Sequence, residues 1–386
     1  MRSSDESQLG LFGSLEQPGE DPAFLSEQLL TYIGNKRLLL GAIAEAVIRV
    51  RNLIGKEKLR VLDGFSGSGV VSRLMKQYAS EVVVNDLENY AAAVARCYLS
   101  NRSEVDLSEL ESTSNELNRT VDAGEGADPG FFERLYAPED DDNIQLGERV
   151  FYTRENARRL DAFRQLLDTL PDATRSLLLG PLLSSASVHA NTAGVFKGFY
   201  KDKDSGIGKL GGSGADALRR IKGQIRLRPP VLSRFDTAAV VSQGDANEQV
   251  PLLGHFDLAY FDPPYNQHPY GSNYFMLNLL CDYVEPDAVS KVSGIPKNWN
   301  RSAYNVRKDS LTNLTELVTN VDADFVLLSF NDDGFISPEE LRNVLTALGD
   351  VQEFKIRHNT FRGSRNLRAR KIHVTEHLYL LQKKGT

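Results

Sequence analysis

The chain has 386 residues, of which 41% are hydrophobic and 25% are charged, and its formal net charge at pH 7 is −7. This length and apolar content predict a large buried core, arranged as two domains or as one domain with a large insertion. No apolar stretch is long and uncharged enough to span a bilayer, and the polar N-terminus lacks the features of a signal peptide, so we expect a cytoplasmic protein without a membrane partner. Cys97 and Cys281 lie in dissimilar contexts and support neither a disulfide framework nor a zinc site, so we expect core thiols.

The charge is distributed unevenly along the chain. Residues 101–142 contain 13 acidic and 3 basic residues, so the acidic excess is local. Residues 197–234 contain 10 basic and 3 acidic residues, and residues 355–372 contain 7 basic and no acidic residues. Such basic segments indicate phosphate-binding surfaces, although a run of charge is also typical of an ordinary solvated face.

The N-terminal part of the chain begins with a helical pattern over residues 26–50. Residues 31–37 interrupt this pattern, because Gly34 and Asn35 break the helical period. Lys36 offers a cation at the same place.

A glycine-rich turn follows the first predicted strand. The strand begins at Leu59 and runs into Asp63-Gly64-Phe65-Ser66-Gly67-Ser68-Gly69, which opens a helix. Such a turn lets a cofactor approach backbone amides closely. A second strand, residues 81–84, ends at Asn85-Asp86 about twenty residues further on, where a carboxylate can accept hydrogen bonds from ribose hydroxyls.

Asp63 distinguishes between two classes of cofactor. A dinucleotide brings a pyrophosphate, which a carboxylate in the turn would repel. The same carboxylate suits a ligand that carries an ammonium and a sulfonium group, so we predict S-adenosylmethionine. The alternative is that Asp63 is a helix N-cap or turn residue.

The middle of the chain combines helices with a polar loop. Residues 151–170 predict a helix, and the apolar residues 177–188 predict a buried helix or helix pair. Residues 189–214 are rich in glycine and lysine, with Lys197 and Lys201 interleaved with Phe196 and other aromatics. This pattern favours a surface that follows phosphates and reads bases. The alternative is a mobile loop whose aromatic side chains pack into the core.

The sequence Asp262-Pro263-Pro264-Tyr265 directly follows an apolar run, residues 256–261. The run predicts a buried strand, and ligands of open α/β sheets bind beyond the carboxyl ends of such strands. Two prolines remove two backbone donors and leave carbonyl oxygens without partners. A carboxylate, a free carbonyl and an aromatic ring suit a planar ligand that bears an amine. The alternative is a polyproline turn with Asp262 as a cap.

The C-terminal part predicts a helix over residues 275–283, a strand over 324–330 and a helix over 338–348. Two alternating runs, residues 353–361 and 376–382, predict an antiparallel hairpin at the edge of the sheet. The loop between these runs is basic, so we expect it to contact phosphates through the side chains of Arg362, Arg365 and Arg368.

Four motifs together carry a family resemblance: Tyr32-Ile33-Gly34-Asn35-Lys36, Asp63 to Gly69, Asn85-Asp86 and Asp262-Pro263-Pro264-Tyr265. In this order they resemble the adenine-specific, Dam-like DNA methyltransferases of the alpha class, the D12 type of restriction–modification systems. The resemblance covers the motif positions from about residue 31 to the C-terminus, but the acidic stretch and the N-terminal tail have no counterpart. It implies an α/β fold, a Rossmann-like S-adenosylmethionine-dependent methyltransferase sheet with an inserted, largely helical target-recognition region.

The same resemblance divides the chain into four parts. Residues 1–25 would form a flexible tail, and residues 26–100 the cofactor-binding half of the core. Residues 101–236 would be the insertion, with the acidic stretch and the target-recognition region. Residues 237–386 would be the catalytic half, with the tetrapeptide and the hairpin.

The resemblance also assigns roles to single residues. The catalytic positions are Asp262, Pro263, Pro264 and Tyr265. Asp63 and the turn that follows would hold the methionine part of the cofactor, Asp86 its ribose and Asp245 its adenine amine. The complete cofactor-binding set is Tyr32, Asn35, Lys36, Asp63, Phe65, Ser66, Gly67, Ser68, Gly69, Asp86 and Asp245. Gly64 stands where many relatives have proline. This difference removes no functional group from the turn.

The implied function is site-specific methylation of the N6 amine of a flipped adenine in double-stranded DNA, without a metal. The expected DNA contacts are Lys197, Lys201, Arg362, Arg365 and Arg368. We expect a monomer, with a cognate restriction endonuclease as a candidate genetic partner. An N4-cytosine or RNA amino-methyltransferase would use the same geometry. A non-catalytic nucleic-acid-binding protein and an NAD-dependent oxidoreductase are further alternatives, and the turn disfavours the latter.

Overall fold

A seven-stranded sheet lies at the centre of the computed structural model, which describes residues 19–125, 128–212, 215–332, 334–359 and 373–384. The strand order is β3-β2-β1-β4-β5-β7-β6. Neighbouring strands from β3 to β5 pair in parallel, whereas β7 pairs antiparallel with both β5 and β6. The strands are β1 Leu59–Asp63, β2 Ala79–Asp86, β3 Ala238–Gln243, β4 Phe256–Phe261, β5 Ala323–Asn331, β6 Gly349–Asn359 and β7 His373–Lys383. The fold is therefore the expected α/β, Rossmann-like methyltransferase fold.

Helices cover the sheet and build the insertion. Those of the cofactor-binding half are α1 Pro22–Ser26, α2 Leu40–Ile54, α3 Val70–Met75 and α4 Asn89–Tyr98. The insertion contains α5 Leu107–Asp122, α6 Phe131–Tyr136, α7 Arg154–Asp168, α8 Asp172–His189 and α9 Ala215–Lys222. The catalytic half contains α10 Ala246–Gln249, α11 Tyr270–Asn273, α12 Phe275–Asp282, α13 Arg307–Asn320 and α14 Pro338–Leu348. Among the described residues, no helix is both long and apolar enough to cross a membrane.

Apolar clusters lie on both faces of the sheet and inside the insertion. Ile43 and Leu74 pack against one face, and Leu314 and Leu341 pack against the other. A separate cluster around Phe163 joins the insertion to α4 and α12. The insertion therefore has its own core, which is continuous with helices beside the sheet.

The parallel ladders bring the carboxyl ends of β1, β2 and β4 to one edge of the sheet. Asp63 at the end of β1 pairs with Tyr260 of β4, and Asp86 at the end of β2 pairs with Gln243 of β3. Every residue of β4 is buried, as its apolar run predicts. The side chains that follow these strands therefore meet on one side of the sheet.

Several helix boundaries differ from the sequence pattern for local reasons. The helix expected from residue 151 begins at Arg154, because the Thr153 side chain accepts a hydrogen bond from the Asn156 amide and caps it. The apolar residues 177–188 form one helix, α8, with Pro181 inside it. Helix α1 overlaps the expected tail, and its Phe24 side chain is fully buried, so residues 22–25 belong to the folded core.

Candidate active site

A cavity with an empty volume of about 830 Å³ opens at the carboxyl ends of β1, β2 and β4. It brings together residues from the N-terminal motif, the glycine-rich turn, the end of β2, the start of α10 and the segment after β4. The predicted site residues that line it are Tyr32, Asn35, Lys36, Asp63, Phe65, Ser66, Gly67, Ser68, Asp86, Asp245, Asp262 and Pro264.

The glycine-rich turn is held against the end of β2. The amide of Gly67 donates a hydrogen bond of 2.7 Å to Asp86 Oδ2. Gly67 has a φ of 50°, and a Cβ on it would lie 2.9 Å from the Tyr32 hydroxyl oxygen. A side chain at this position would therefore be strained and would collide with the wall of the cavity.

Asp63 brings a buried carboxylate to the floor of the cavity. It is 1% exposed, and its Oδ2 accepts a hydrogen bond of 2.5 Å from Ser72 Oγ. Its Oδ1 is buried without a hydrogen-bond partner among the described residues. Burial raises the pKa of Asp63 to about 7, and the nearby carboxylates of Asp86 and Asp262 add to the effect. The free oxygen is therefore available to a cationic ligand.

Two further carboxylates lie at the end of β2. Burial raises the pKa of Asp86 to about 6 and that of Glu88 to about 7. Asp86 Oδ1 accepts from the Glu88 amide at 2.9 Å. Glu88 Oε2 accepts from Asn278 at 2.6 Å and from Asn300 at 3.1 Å. Glu88 lines the cavity although the sequence motifs do not include it, and its only signal is its place two residues after Asp86.

Asp262 forms an ion pair with the lysine of the N-terminal motif. Lys36 Nζ lies 2.9 Å from Asp262 Oδ1 and 4.0 Å from Glu376 Oε2. Burial alone would lower the pKa of Lys36, but these two carboxylates outweigh it and raise the pKa. Burial raises the pKa of Asp262 to about 6, while the Lys36 ammonium opposes this shift. The lysine therefore helps to keep the Asp262 carboxylate ionised.

The rest of the tetrapeptide is arranged around this ion pair. Pro264 lines the cavity, whereas Pro263 is buried. The Tyr265 ring packs edge-on against Phe330 with its centroid 5.9 Å away, and Lys36 Nζ lies 5.9 Å from the Tyr265 centroid. Tyr265 is therefore fixed beside Asp262 from two sides.

A stack of tyrosines forms one wall of the site. The rings of Tyr32, Tyr270 and Tyr274 are nearly parallel and form a triangle, in which the Tyr32 centroid lies 5.1 Å from that of Tyr270 and 4.7 Å from that of Tyr274. The Tyr270 hydroxyl donates to the Ile33 carbonyl at 3.1 Å, and the Ile33 amide donates to the Tyr274 hydroxyl at 2.7 Å. The predicted motif residue Tyr32 thus acts with α11, whose Tyr270 the sequence motifs do not identify.

A loop after α12 supplies cavity residues that no motif identifies. Asn300 donates to the Leu87 carbonyl at 3.2 Å and so joins this loop to the end of β2. The Tyr304 ring packs edge-on against the predicted residue Phe65 at 5.2 Å. The loop residues that line the cavity are Asn300, Ser302, Tyr304 and Asn305.

The expected nucleic-acid-binding residues lie in different settings. Lys197 and Lys201 are exposed, and Lys201 Nζ lies 4.8 Å from the centroid of the Phe199 ring. Phe196, expected to read bases, is 2% exposed, and its side chain belongs to the insertion core. Its backbone amide donates a hydrogen bond of 2.8 Å to the Asn273 carbonyl. Arg362, Arg365 and Arg368 lie outside the described residues.

The parallel part of the sheet carries a glycine-rich turn, a carboxylate after the next strand and Asp-Pro-Pro-Tyr after the neighbouring strand. This combination is that of an amino-group methyltransferase. The model of the D12 class N6 adenine-specific DNA methyltransferases matches residues 32–344. The chain belongs to this family and is an adenine-specific DNA methyltransferase. The cytosine, RNA, non-catalytic and oxidoreductase alternatives are therefore not favoured.

The chain is also similar to methyltransferases of restriction–modification systems. It is 26% identical over 366 residues to the type II methyltransferase M.NlaIII of Neisseria lactamica, covering 92% of this chain and 99% of that protein. It is 27% identical over 373 residues to the modification methylase StsI of Streptococcus sanguinis, covering 92% of this chain and 52% of that protein. It is 25% identical over 340 residues to the type II methyltransferase M.CviAII of Paramecium bursaria Chlorella virus 1, covering 86% of this chain and 92% of that protein.

Proposed function

We propose that the protein transfers a methyl group from S-adenosylmethionine to the N6 amine of an adenine flipped out of double-stranded DNA. The observation that carries the proposal is that Asp63, Asp86 and Asp262 line one cavity at the ends of adjacent strands. A cofactor site and an amine-orienting site are therefore within reach of each other.

The cavity fits a cationic cofactor. Besides Asp262, it contains three carboxylates of raised pKa, those of Asp63, Asp86 and Glu88. Asp63 Oδ1, Ser66 Oγ and Asn85 Oδ1 are buried there without hydrogen-bond partners among the described residues. We assign Asp63 and the turn to the ammonium-bearing methionine part, Asp86 and Glu88 to the ribose hydroxyls, and Asp245 to the adenine amine. When bound, this cofactor supplies a methyl group on a positively charged sulfur.

The residues around Asp262 suit the activation of an exocyclic amine. The lone pair of such an amine is delocalised into the ring, so the nitrogen is a poor nucleophile until its geometry becomes tetrahedral. In our proposal the Asp262 carboxylate and the Pro263 carbonyl accept hydrogen bonds from the amine, and Tyr265 stacks on the base. The carboxylate also stabilises the positive charge that develops on nitrogen as the methyl group is gained. Lys36 supports this role by favouring the ionised form of Asp262.

The target base has to leave the DNA stack to reach this position. The amine lies inside the duplex when the base is paired, and Asp262 is only partly exposed at the cavity. Flipping costs a few kcal/mol, which stacking and backbone contacts offset.

Asp262→Asn tests the proposal directly, because it keeps the shape of the side chain and removes the charge. We expect the variant to bind S-adenosylmethionine as the wild type does and to transfer methyl groups about 100-fold more slowly or worse. The measurements are calorimetry for cofactor binding and transfer of a labelled methyl group to DNA, followed by nucleoside mass spectrometry. Asp322→Asn is a matched control, since Asp322 is 66% exposed and precedes β5 at the opposite edge of the sheet. Transfer by Asp262→Asn at the control rate would contradict the assignment.

We further propose that the protein acts as a monomer and protects the site of a cognate restriction endonuclease. Support comes from its similarity to type II methyltransferases, including the nearly full-length match to M.NlaIII. Sedimentation of the protein on DNA tests the first proposal. Resistance of methylated plasmid to a restriction endonuclease that cuts the same sequence tests the second.

A further inference from the structure

Two turns far apart in the chain have nearly the same sequence. After the two lysines that each contains, we call residues 202–209 the first basic turn and residues 290–297 the second basic turn. Their sequences are Asp202-Lys203-Asp204-Ser205-Gly206-Ile207-Gly208-Lys209 and Ser290-Lys291-Val292-Ser293-Gly294-Ile295-Pro296-Lys297. Lysine, serine, glycine, isoleucine and lysine occur at equivalent positions in both.

The two turns also have the same backbone conformation. The amide of residue 202 donates to the carbonyl of Ile207, and that of Ser290 to the carbonyl of Ile295, both at 2.8 Å. A single antiparallel bridge closes each turn, between Lys201 and Gly208 and between Val289 and Pro296. The glycines at the equivalent positions 206 and 294 have φ angles of 72° and 69°. The sequence repeat is therefore a structural repeat.

Two consecutive residues, Arg149 and Val150, contact one turn each. The Arg149 guanidinium donates to the carbonyls of Ser290 and Lys291, both at 3.4 Å. Asn191 Nδ2 donates to the carbonyls of Val150 and Lys209, at 2.6 and 2.9 Å. A Cβ on Gly208 would lie 2.4 Å from Val150, and one on Gly294 would lie 2.9 Å from Arg149. Because residues 149 and 150 are adjacent, both turns are anchored to the same short segment of the chain.

Both turns connect to α11, which follows the catalytic tetrapeptide. Phe196, shortly before the first basic turn, donates its amide to the Asn273 carbonyl. Asn300, shortly after the second basic turn, packs against Gly271 of α11. A Cβ on Gly271 would lie 2.3 Å from the carbonyl oxygen of Asn300. Each turn is thus only a few residues from a contact with the helix beside the cavity.

The lysines are not needed to close the turns. Asp202 Oδ1 accepts from the amides of residues 204 and 205, and the Ser290 hydroxyl accepts from the Ile295 amide. Lys203, Lys209, Lys291 and Lys297 are exposed, and none forms an ion pair within the part of the chain that the structure describes. Two matched pairs of lysines therefore face solvent.

We propose that the two basic turns form a paired contact with the DNA backbone beside the flipped base, with Lys203 and Lys291 each binding a phosphate. This inference rests on the proposed function and adds the surface that holds the duplex. Lysine binds phosphate as a mobile point charge, so the contact positions the duplex and does not read its sequence. Asp202 and Asp204 stand where the second basic turn has Ser290 and Val292, so the net charge is zero in the first turn and +2 in the second.

Salt dependence of DNA binding tests the pair. We expect Lys203→Ala and Lys291→Ala each to reduce the slope of log affinity against log salt by about 0.9, and the double variant to reduce it by about 1.8. Asp204→Asn should raise the affinity at low salt. The measurement is fluorescence anisotropy with a labelled duplex, with the melting temperature of each variant as a check on folding. Lys58→Ala is the control, because Lys58 is exposed just before β1, at the amino ends of the parallel strands and away from the cavity.

A slope in both variants equal to that of the control would overturn the proposal, and a change in only one variant would overturn the pairing. The result is independent of the proposed function, because binding of any duplex depends on phosphate contacts. If wild-type protein failed to methylate DNA, the proposed function would fail, while the salt slopes would still decide whether the turns bind the backbone. The methylated sequence should be the same in all variants.

Discussion

At the scale of single residues, the cavity concentrates carboxylates that are costly to bury. Asp63, Asp86 and Glu88 all have raised pKa values because burial disfavours their charged forms. A fold selected for stability alone would replace them. Their presence is explained by a ligand that brings compensating positive charge and hydroxyl groups.

Asp63→Asn should make the cofactor-free protein more stable. The folded-state pKa of about 7 lies above the ordinary 3.8, so ionised Asp63 destabilises the fold. This penalty grows as pH rises from about 4 to about 7, and reaches on the order of 4 kcal/mol. We expect a melting temperature several degrees above that of the wild type near pH 8, and a smaller difference near pH 5. S-adenosylmethionine should raise the melting temperature of the wild type only. Equal melting curves at both pH values would contradict the account.

Lys36→Met should shift the pH dependence of methylation. The carboxylate form of Asp262 is required, and its pKa of about 6 is the result of burial and Glu376, which raise it, and of Lys36, which lowers it. Without the ammonium that pKa rises further, so activity should be lost at a higher pH on the acid side. The acid limb of kcat/KM reports this pKa in the free enzyme. Lys56→Met is the control, because Lys56 pairs with Asp257 away from the cavity. An unmoved acid limb would show that Lys36 does not tune Asp262.

At the scale of elements, the sequence predicts strands and motifs well and tertiary loops poorly. The strand before Asp262 forms at Phe256–Phe261, as predicted, and its local signal is an apolar run that ends before two prolines. Helix α14 forms at Pro338–Leu348, as predicted, and its local signal is a Ser-Pro start with a capping box. Asn300 and Tyr304 carry no such signal. They reach the cavity through contacts with residues more than 200 positions away, and local patterns contain no information on those contacts.

Gly271→Ala tests whether the loop after α12 completes the site. A Cβ there would lie 2.3 Å from the backbone oxygen of Asn300, so the loop must move away from α11. We expect weaker binding of S-adenosylmethionine by about tenfold or more, because Asn300 also supports Glu88 and the Leu87 carbonyl. Calorimetry measures this. Gly198→Ala is the control, since its Cβ would meet no atom of the described residues within 4 Å. Identical affinities for both variants would mean that the loop is not part of the cofactor site.

At the scale of the whole molecule, the insertion separates strands that are neighbours in the sheet. Strand β3 pairs with β2 along its whole length, although residues 101–236 lie between them. The insertion packs its own core against α4 and α12, on the side where the loop at residues 196–200 contacts α11. The insertion lies beside the cavity because of this packing. The composition of the insertion did not predict which helices it packs against. The acidic stretch forms helices α5 and α6, which contribute Leu110 and Phe132 to the same core.

The strand order also determines how the protein can fold during synthesis. Strand β1 lies between β2 and β4, and its Asp63 pairs with Tyr260. A ribosome that adds about 5–20 residues per second needs roughly 10–40 s to make the chain between these two residues. During that interval the apolar edge of β1 has no partner, and such edges pair readily with other chains. We therefore expect the nascent cofactor-binding half to be the stage at which this protein is most exposed to pairing with other chains.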